Sequence, residues 1–390
     1  MKYRWHLPFL VAVIAFFFQA SHAQETVMEG RAMGMPYRIV VAKTLHEEER
    51  KAIRTAVLEI LDIAENTFSL YRADSEIMRW NDNTSTDWIP VSRPLADLVQ
   101  HSRMLYIATD GAYDPTIRPL TKLWQFDKVT PIWVPPTYPD IAACLEIVGM
   151  HRIHLRDSPT ALKKDLPSIE LDLNSLVEGW CLDEIAKSVK SIVKTNFLAS
   201  LGGEYVGLGL NSQGKPWRVM IEPTAGDSKK SKNQPNPLFQ VQLTDLYIST
   251  SGTYRSGHYH EGQWFCHLLD ARTGYPIPRE RHLASVAAES ALIADGWSTA
   301  LLTLDEQKAA KICSDLKIAS FLCYEADRGS RQWRSEHGRV HFQIIVDGSI
   351  PTNRSKLSSV NWLVLATCLI ALISILLFLA KRLTYRVLLF

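Results

Sequence analysis

Apolar positions recur along this chain with two distinct periods. Over "HEEERKAIRTAVLEILDIAENTF", His46 to Phe68, they return every three or four residues, which predicts a long amphipathic helix. "LADLVQHSRMLYIATDGAYDPT", Leu95 to Thr116, predicts a second helix ending near Gly111 in a polar turn. "ESALIADGWSTALLTL", Glu289 to Leu304, predicts a third, with small residues along one face. Alternation with β-branched residues marks a strand at Met33–Ala42, and Phe197–Leu210, Pro216–Pro223, Leu246–Gly252, Gln263–Ala271, Ala319–Ala326 and Val340–Asp347 also read as strands. Ser168 to Ile192 predicts a strand, a tight turn at Asn174 and Ser175, and then a helix. Helices and strands alternate irregularly, with hairpin-like strand pairs. The expected fold class is therefore α+β, a single large mixed domain rather than a doubly wound parallel sheet.

Two stretches interrupt the pattern. Pro223 to Pro237 is polar and Pro-rich and reads as a surface loop; Gly348 to Ser359 reads as a linker. Both ends of the chain break with it altogether. Lys2 and Arg4 precede the apolar run "LPFLVAVIAFFF", and Ser21 and Ala23 stand before Gln24, the layout of a cleaved export signal. That run is short for a membrane span. "WLVLATCLIALISILLFLA", Trp362 to Ala380, carries no charge, and roughly 20 such residues cross a bilayer. Lys381, Arg382 and Arg386 follow it, which places the tail in the cytoplasm. The expected organisation is a signal peptide at 1–23, a folded domain at 24–348, a linker at 349–361, a transmembrane helix at 362–380 and a cytoplasmic tail at 381–390.

Composition mainly excludes. The net charge is +2 with Lys and Arg scattered, so no basic patch points to nucleic acid. Outside the apolar C-terminal run, Cys144, Cys181, Cys266, Cys313 and Cys323 lie far apart and form no C-x-x-C pair. That is neither a zinc pattern nor a dense disulfide framework, although isolated disulfides stay open outside the cytoplasm.

Candidate chemistry lies in short polar blocks. Asp295 and Thr299 are four apart on one helix face, a carboxylate and a hydroxyl suited to a hard cation such as Mg²⁺. A helix cap or an ion pair is the plainer role for Asp295. Gly202 and Gly203 allow close approach of backbone to a ligand, or simply make a turn. Thr250, Ser251 and Gly252 in "STSGTYRSG" suit a phosphate cradle or a hairpin. "DGAYDPT" holds Asp110, Asp114 and Thr116 around an Asp-Pro turn, and Asp172 and Asn174 precede a helix, where capping is the default. "HLLDARTGYP", His267 to Pro276, is either a catalytic loop or an ordinary turn.

In order, these blocks resemble those of the FAD:protein FMN transferases, the ApbE family of flavin transferases. The resemblance runs from about Met33 to Leu304 through "MGMPY", "FSLYRADSEIMRWN", "DGAYDPTIRPLTKLWQF", "LDLNSLVEGWCLD", "SLGGE", "TSGTYR", "HLLDARTGYP" and "ADGWSTAL". It implies Mg²⁺-dependent cleavage of FAD, joining of FMN by a phosphoester to a Ser or Thr of a target flavoprotein, and release of AMP. It implies Asp295, Thr299 and a backbone carbonyl near Val177 as metal ligands, and His267 as the base for the acceptor hydroxyl. Met33, Tyr71, Ser75, Glu76, Asp114, Thr116, Gly203 and Thr250 are the implied FAD contacts. Met35, Glu178 and Ala271 depart from the usual small polar residue, Lys and Pro. With the predicted ends, this describes a bacterial inner-membrane protein whose catalytic domain faces the periplasm or exterior and modifies an exported or membrane-associated flavoprotein. A Mg²⁺-dependent FAD pyrophosphatase and a non-catalytic FAD-binding protein are the alternatives.

Overall fold

Eight strands form one antiparallel sheet in which each strand pairs with the next along the chain. They are β1 (Thr26–Ala32), β2 (Met35–Val41), β3 (Phe197–Leu201), β4 (Glu204–Leu208), β5 (Leu246–Gly252), β6 (Arg281–Ala288), β7 (Ala319–Ala326) and β8 (Gly329–Ser335). The helices are α1 (Glu47–Phe68), α2 (Glu76–Asp82), α3 (Arg93–Ala108), α4 (Arg118–Leu123), α5 (Tyr138–Leu145), α6 (Asn174–Val193), α7 (Ala291–Leu302) and α8 (Glu306–Asp315). The computed structural model describes residues 25–32, 34–128, 133–221, 239–254, 256–278, 281–326, 329–335, 340 and 342–344. The expected signal peptide, Met33, the Pro223–Pro237 loop, the linker, the apolar C-terminal run and the tail lie outside them. Among the described residues, no helix is long and apolar enough to cross a membrane.

Each face of the sheet buries alternate residues. Tyr37, Ile39 and Val41 of β2 face the helices, where α1 contributes Ile53, Val57, Leu61, Ala64 and Phe68. Val40 faces the other way, into a core shared with a second, three-stranded sheet formed by Trp217–Ile221, Phe239–Leu243 and Phe342–Ile344. There the Phe239 and Phe321 rings lie 4.2 Å apart between centroids. The sheet is thus sandwiched between helices and a smaller sheet, which agrees with the expected mixed class.

Two expectations need correction. The strand expected at 168–173 does not form, although Ile169, Leu171 and Leu173 are buried in alternation. Its backbone is satisfied by side chains instead. The Asn81 amide donates to Leu171 O (2.9 Å) and accepts from Leu171 N–H (2.7 Å), while Lys164 Nζ donates to Ile169 O (3.1 Å). The turn expected at Asn174 and Ser175 is the first turn of α6. The strand expected over Gln263–Ala271 is broken. Gln263–Cys266 pairs with Gly257–His260, and Leu269–Asp270 pairs with Tyr275–Pro276, leaving His267 between two small hairpins. Cys144, Cys181, Cys266, Cys313 and Cys323 are free thiols.

Helices α6 and α7 cross at Gly179. A Cβ there would lie 2.6 Å from Ala291 O and 2.8 Å from Asp295 Cβ, so only glycine permits this approach. Replacing a helical glycine by alanine ordinarily stabilises by roughly 0.5–1 kcal/mol. Overpacking against backbone costs about 1–3 kcal/mol and should win. Gly179→Ala is expected to lower the thermal unfolding midpoint; a midpoint above that of the native chain would show that the helices separate without strain.

Candidate active site

The crossing of α6 and α7 delivers Asp295 to the floor of a cleft of about 630 Å³. Its Oδ2 accepts the Gly179 N–H at 3.0 Å, and its Oδ1 lies 3.2 Å from Ser249 Oγ on β5. Capping of α7 is done by other groups. Ser290 Oγ accepts from Ile293 N–H, and Asp183 accepts from the N–H groups of Ala291 and Leu292. Asp295 is thus not the cap of α7; its carboxylate links Gly179 of α6 and Ser249 of β5 at the cleft. One turn on, Thr299 Oγ1 lies 2.9 Å from Ser251 Oγ, which in turn lies 2.7 Å from Ser298 Oγ.

Period two on β5 explains this grouping. Ser249 and Ser251 face α7, whereas Thr250 points to the opposite side and bonds Ser285 Oγ at 2.7 Å. Thr250 still lines the cleft, but its hydroxyl is committed to β6. The carboxyl of Glu204, at the start of β4, lies 3.1 Å from Ser249 Oγ and accepts the Gly203 N–H at 3.0 Å. Burial, a hydrogen bond with Glu178 and the charge of Asp295 all raise its proton affinity well above that of an ordinary glutamate.

His267 lines the same cleft. Its Nδ1 lies 3.0 Å from Ser256 O, a carbonyl that only accepts, so the neutral ring carries its proton at Nδ1 and its lone pair at Nε2. The following loop is fixed by its own contacts. Asp270 holds Arg272 through two bonds of 2.9 and 2.7 Å, and Asp270 O accepts the Gly274 N–H at 2.8 Å. Gly274 has φ of +74°, and a Cβ there would lie 2.5 Å from Ile141.

The implied FAD contacts divide. Tyr71, 79% exposed, and Asp114 line the cleft along with Thr250. Gly203 acts through the N–H it gives to Glu204. Ser75 is a buried cap of α2, accepting from Met78 N–H at 3.2 Å, and Glu76 accepts the Ser92 N–H at the start of α3. Thr116 is buried; its Oγ1 donates to Asp114 Oδ1 (2.6 Å) and accepts from Gly149 N–H (2.7 Å). Ser75, Glu76 and Thr116 are not among the residues that line the cleft. Val177 is also absent from the lining; its side chain is in the core, and its neighbour Glu178 takes the place on the cleft wall.

The structure adds residues that the sequence reading did not select for the site. Glu204, Tyr113 and Ser175 line it, with Tyr113 Oη 2.9 Å from Ser175 Oγ, and buried Ser249 bonds Glu204 and Asp295 from behind. Glu204 was within reach, as the acidic residue closing "SLGGE". Ser249 is one step before the hydroxyls already chosen, and strand alternation would have added it. Phe126 and Arg118 complete a wall of mixed aromatic and cationic character.

The donors fit a small hard cation. Asp295, Thr299, Ser249, Ser251, Glu178 and Glu204 offer oxygen alone, as Mg²⁺ prefers. Among the described residues, no three His, Cys, Asp or Glu side chains are grouped as a metal cage. A cation here would meet the Asp295 carboxylate and the Thr299 hydroxyl, with Glu178 and Glu204 also on the cleft wall.

Asp295, Thr299 and His267 thus line one cleft beside an antiparallel sheet. The ApbE family model matches residues 33–322, and the chain belongs to that family. It is 32% identical over 321 residues to the FAD:protein FMN transferase of Klebsiella pneumoniae (strain 342), covering 81% of this chain and 89% of that protein. The FAD:protein FMN transferase of Escherichia coli (strain K12) is 31% identical over 319 residues, with the same coverage of 81% and 89%. The flavin transferase ApbE structure from Vibrio cholerae superposes with a TM-score of 0.71 at 28% identity, covering 80% of this chain and 98% of that one.

Asp114 supports this site from below. It accepts from Thr116 N–H (2.8 Å), Thr116 Oγ1 and Met150 N–H (2.9 Å), while burial raises its proton affinity. Asp114→Ala would strand buried donors and is expected to cost about 2–4 kcal/mol. Chemical denaturation would read it; a change within experimental scatter of the native chain would mean that other acceptors replace the carboxylate.

Proposed function

We propose that this chain transfers FMN from FAD to a hydroxyl of a target flavoprotein and releases AMP. The observation that carries this reading is that Asp295 and Thr299 open onto the same cleft as His267. The family supports the transfer itself, because the chain matches FAD:protein FMN transferases over about four-fifths of its length, 81% for the Klebsiella protein.

The chain's own groups fit the roles required. Tyr71, Tyr113 and Phe126 offer aromatic faces for the flavin or adenine ring. His267 Nε2 takes the proton of the acceptor Ser or Thr as its oxygen forms a bond to the FMN phosphorus. The bond from that phosphorus to the AMP oxygen breaks. Asp295 and Thr299, with a backbone carbonyl near Val177, would hold Mg²⁺. When bound, that ion supplies neutralisation of the pyrophosphate charge. Ser249 and Gly179 fix the Asp295 carboxylate, so its orientation is set before substrate arrives.

The predicted ends extend the reading. A cleaved signal at 1–23 and a membrane helix at 362–380 would tether the site outside the cytoplasm, beside exported or membrane-bound flavoproteins. Tethering raises the effective concentration of enzyme near such targets. A cytoplasm-specific reporter fused after Phe390 should be active, because Lys381 and Arg382 hold the tail inside. Activity of a periplasm-specific reporter at that point would reverse the orientation.

The reaction is tested by incubating the protein with FAD, Mg²⁺ and a candidate acceptor, then weighing the acceptor by mass spectrometry. A gain of one FMN on a Ser or Thr is expected. His267→Ala should lower the rate by roughly 10²–10⁴-fold with FAD still bound. Asp295→Ala should abolish AMP release at ordinary Mg²⁺. Free FMN without acceptor labelling would favour a pyrophosphatase, and normal transfer by His267→Ala would move the base elsewhere.

A further inference from the structure

Two polar side chains line the cleft together with its aromatic residues Tyr71 and Phe126: Arg118 and Asp127. Arg118 is buried at the start of α4. Its Nε donates to Glu170 at 3.1 Å, and its Nη2 donates to Leu70 O at 3.4 Å and lies 3.5 Å from Met78 Sδ. Leu70 directly precedes Tyr71, so the guanidinium is anchored beside that ring's own backbone. Nη1 has no hydrogen-bond partner among the described residues. The buried side-chain nitrogens without a partner there are those of Trp80 and His101, so Nη1 is open to solvent.

Asp127 follows Phe126 directly, and its Oδ1 is buried with no hydrogen-bond partner among the described residues. A buried acceptor without a donor is costly, so this carboxylate calls for a donor that the chain does not supply. The neighbouring acids are already engaged. Glu170 takes Arg118 and Lys122, and Asp172 Oδ1 accepts the Asn174 N–H at 3.1 Å. Burial raises the proton affinity of Asp172, while the Arg118 charge lowers it and the Asp127 charge raises it, so both groups act on one carboxylate. A phosphate is a poor match here, since it would meet two carboxylates for one free guanidinium nitrogen. A donor and an acceptor beside aromatic residues suit the edge of a nitrogen heterocycle. In flavin, N3–H stands between two carbonyl oxygens; in adenine, the N6 amino group stands beside N1.

We infer that Arg118 and Asp127 are specificity-determining residues that read the edge of one ring of FAD. Asp127 accepts the ring's N–H, and Arg118 Nη1 donates to the oxygen or nitrogen acceptor next to it. The inference rests on the proposed function and adds to it. Stacking on Tyr71 or Phe126 accepts any flat ring of suitable size. A site built to bond an N–H rejects the ring that lacks one, because its own polar groups are then left unpaired. Holding one ring at this end sets the direction in which FAD lies in the cleft.

The test uses the full chain and measures binding by flavin fluorescence for three ligands: FAD, FAD methylated at flavin N3, and FAD dimethylated at adenine N6. Each methylation removes the N–H from one ring alone. The native chain should bind FAD about tenfold more tightly than one of the two analogues. Asp127→Leu keeps bulk and removes the acceptor, and should reduce that preference to about twofold or less. The analogue whose penalty disappears in this variant identifies the ring. Asp127→Asn keeps a carbonyl oxygen and should retain part of the preference. Arg118→Lys keeps a charge for Glu170 but loses the forked guanidinium, and should reduce the preference as well. Asp127 Oδ1 holds no other residue in place, so the Asp127 variants decide the matter if Arg118→Lys fails to fold. A native chain that binds both analogues as tightly as FAD overturns the inference and leaves the transferase reading standing. So does a native-sized preference in Asp127→Leu or in folded Arg118→Lys. Absence of FAD binding by the native chain overturns both.

Discussion

The close crossing of α6 and α7 at Gly179 is the constraint on which the site depends. Gly179 gives up a side chain so that its N–H can reach Asp295 Oδ2 at 3.0 Å. That single contact sets the distance between two helices and orients the carboxylate. Asp183 performs a parallel task one turn further along α6, accepting from the first N–H groups of α7 at 2.8 and 3.1 Å. The two helices are therefore locked by hydrogen bonds to carboxylates at two levels, with the inner one facing the cleft. Because β5 packs against α7, the Ser249 and Ser251 hydroxyls arrive in register with Asp295 and Thr299.

Elements with strong periodicity were readable from sequence because one face of each is buried. The helix at Glu47–Phe68 starts within one residue of its expected boundary, and β5 and β7 match their expected bounds. β6 was not foreseen, although it lies within the sheet between β5 and β7. Leu283, Ala284, Ser285, Val286 and Ala287 are all buried, so the strand carries no alternation to read. The failure at 168–173 is the converse. Alternation is present there, but the hydrogen bonds come from Asn81 and Lys164, residues 90 and 5 positions away in sequence.

The same division holds for the site. Asp295 and Thr299 were legible as a helical pair, since four residues return a side chain to one face. Their partners Ser249 and Glu204 lie 46 and 91 positions upstream of Asp295, and only sheet pairing brings them in. Ser75, Glu76 and Thr116 show a different limit. Motif wording singles out these residues without showing the local bonds they make. Ser75 caps α2, Glu76 meets the first turn of α3, and Thr116 joins Asp114 to Gly149.

The loop that presents His267 shows how a departure from the family's wording is absorbed. Ala271 stands where the resemblance leads one to expect proline. Its N–H donates to Ala112 O at 3.2 Å, a bond that proline has no hydrogen to make. Ala112 belongs to "DGAYDPT", so this bond fastens the histidine loop to the segment that carries Asp114 into the cleft. Ala271 is also buried beside Leu120, Trp124 and Leu269, and Trp124 Nε1 donates to Gly274 O at 2.8 Å. Proline would stiffen the loop by fixing its own φ. Here the stiffness comes from a backbone bond and an apolar contact instead, in the loop that follows His267 on the cleft wall.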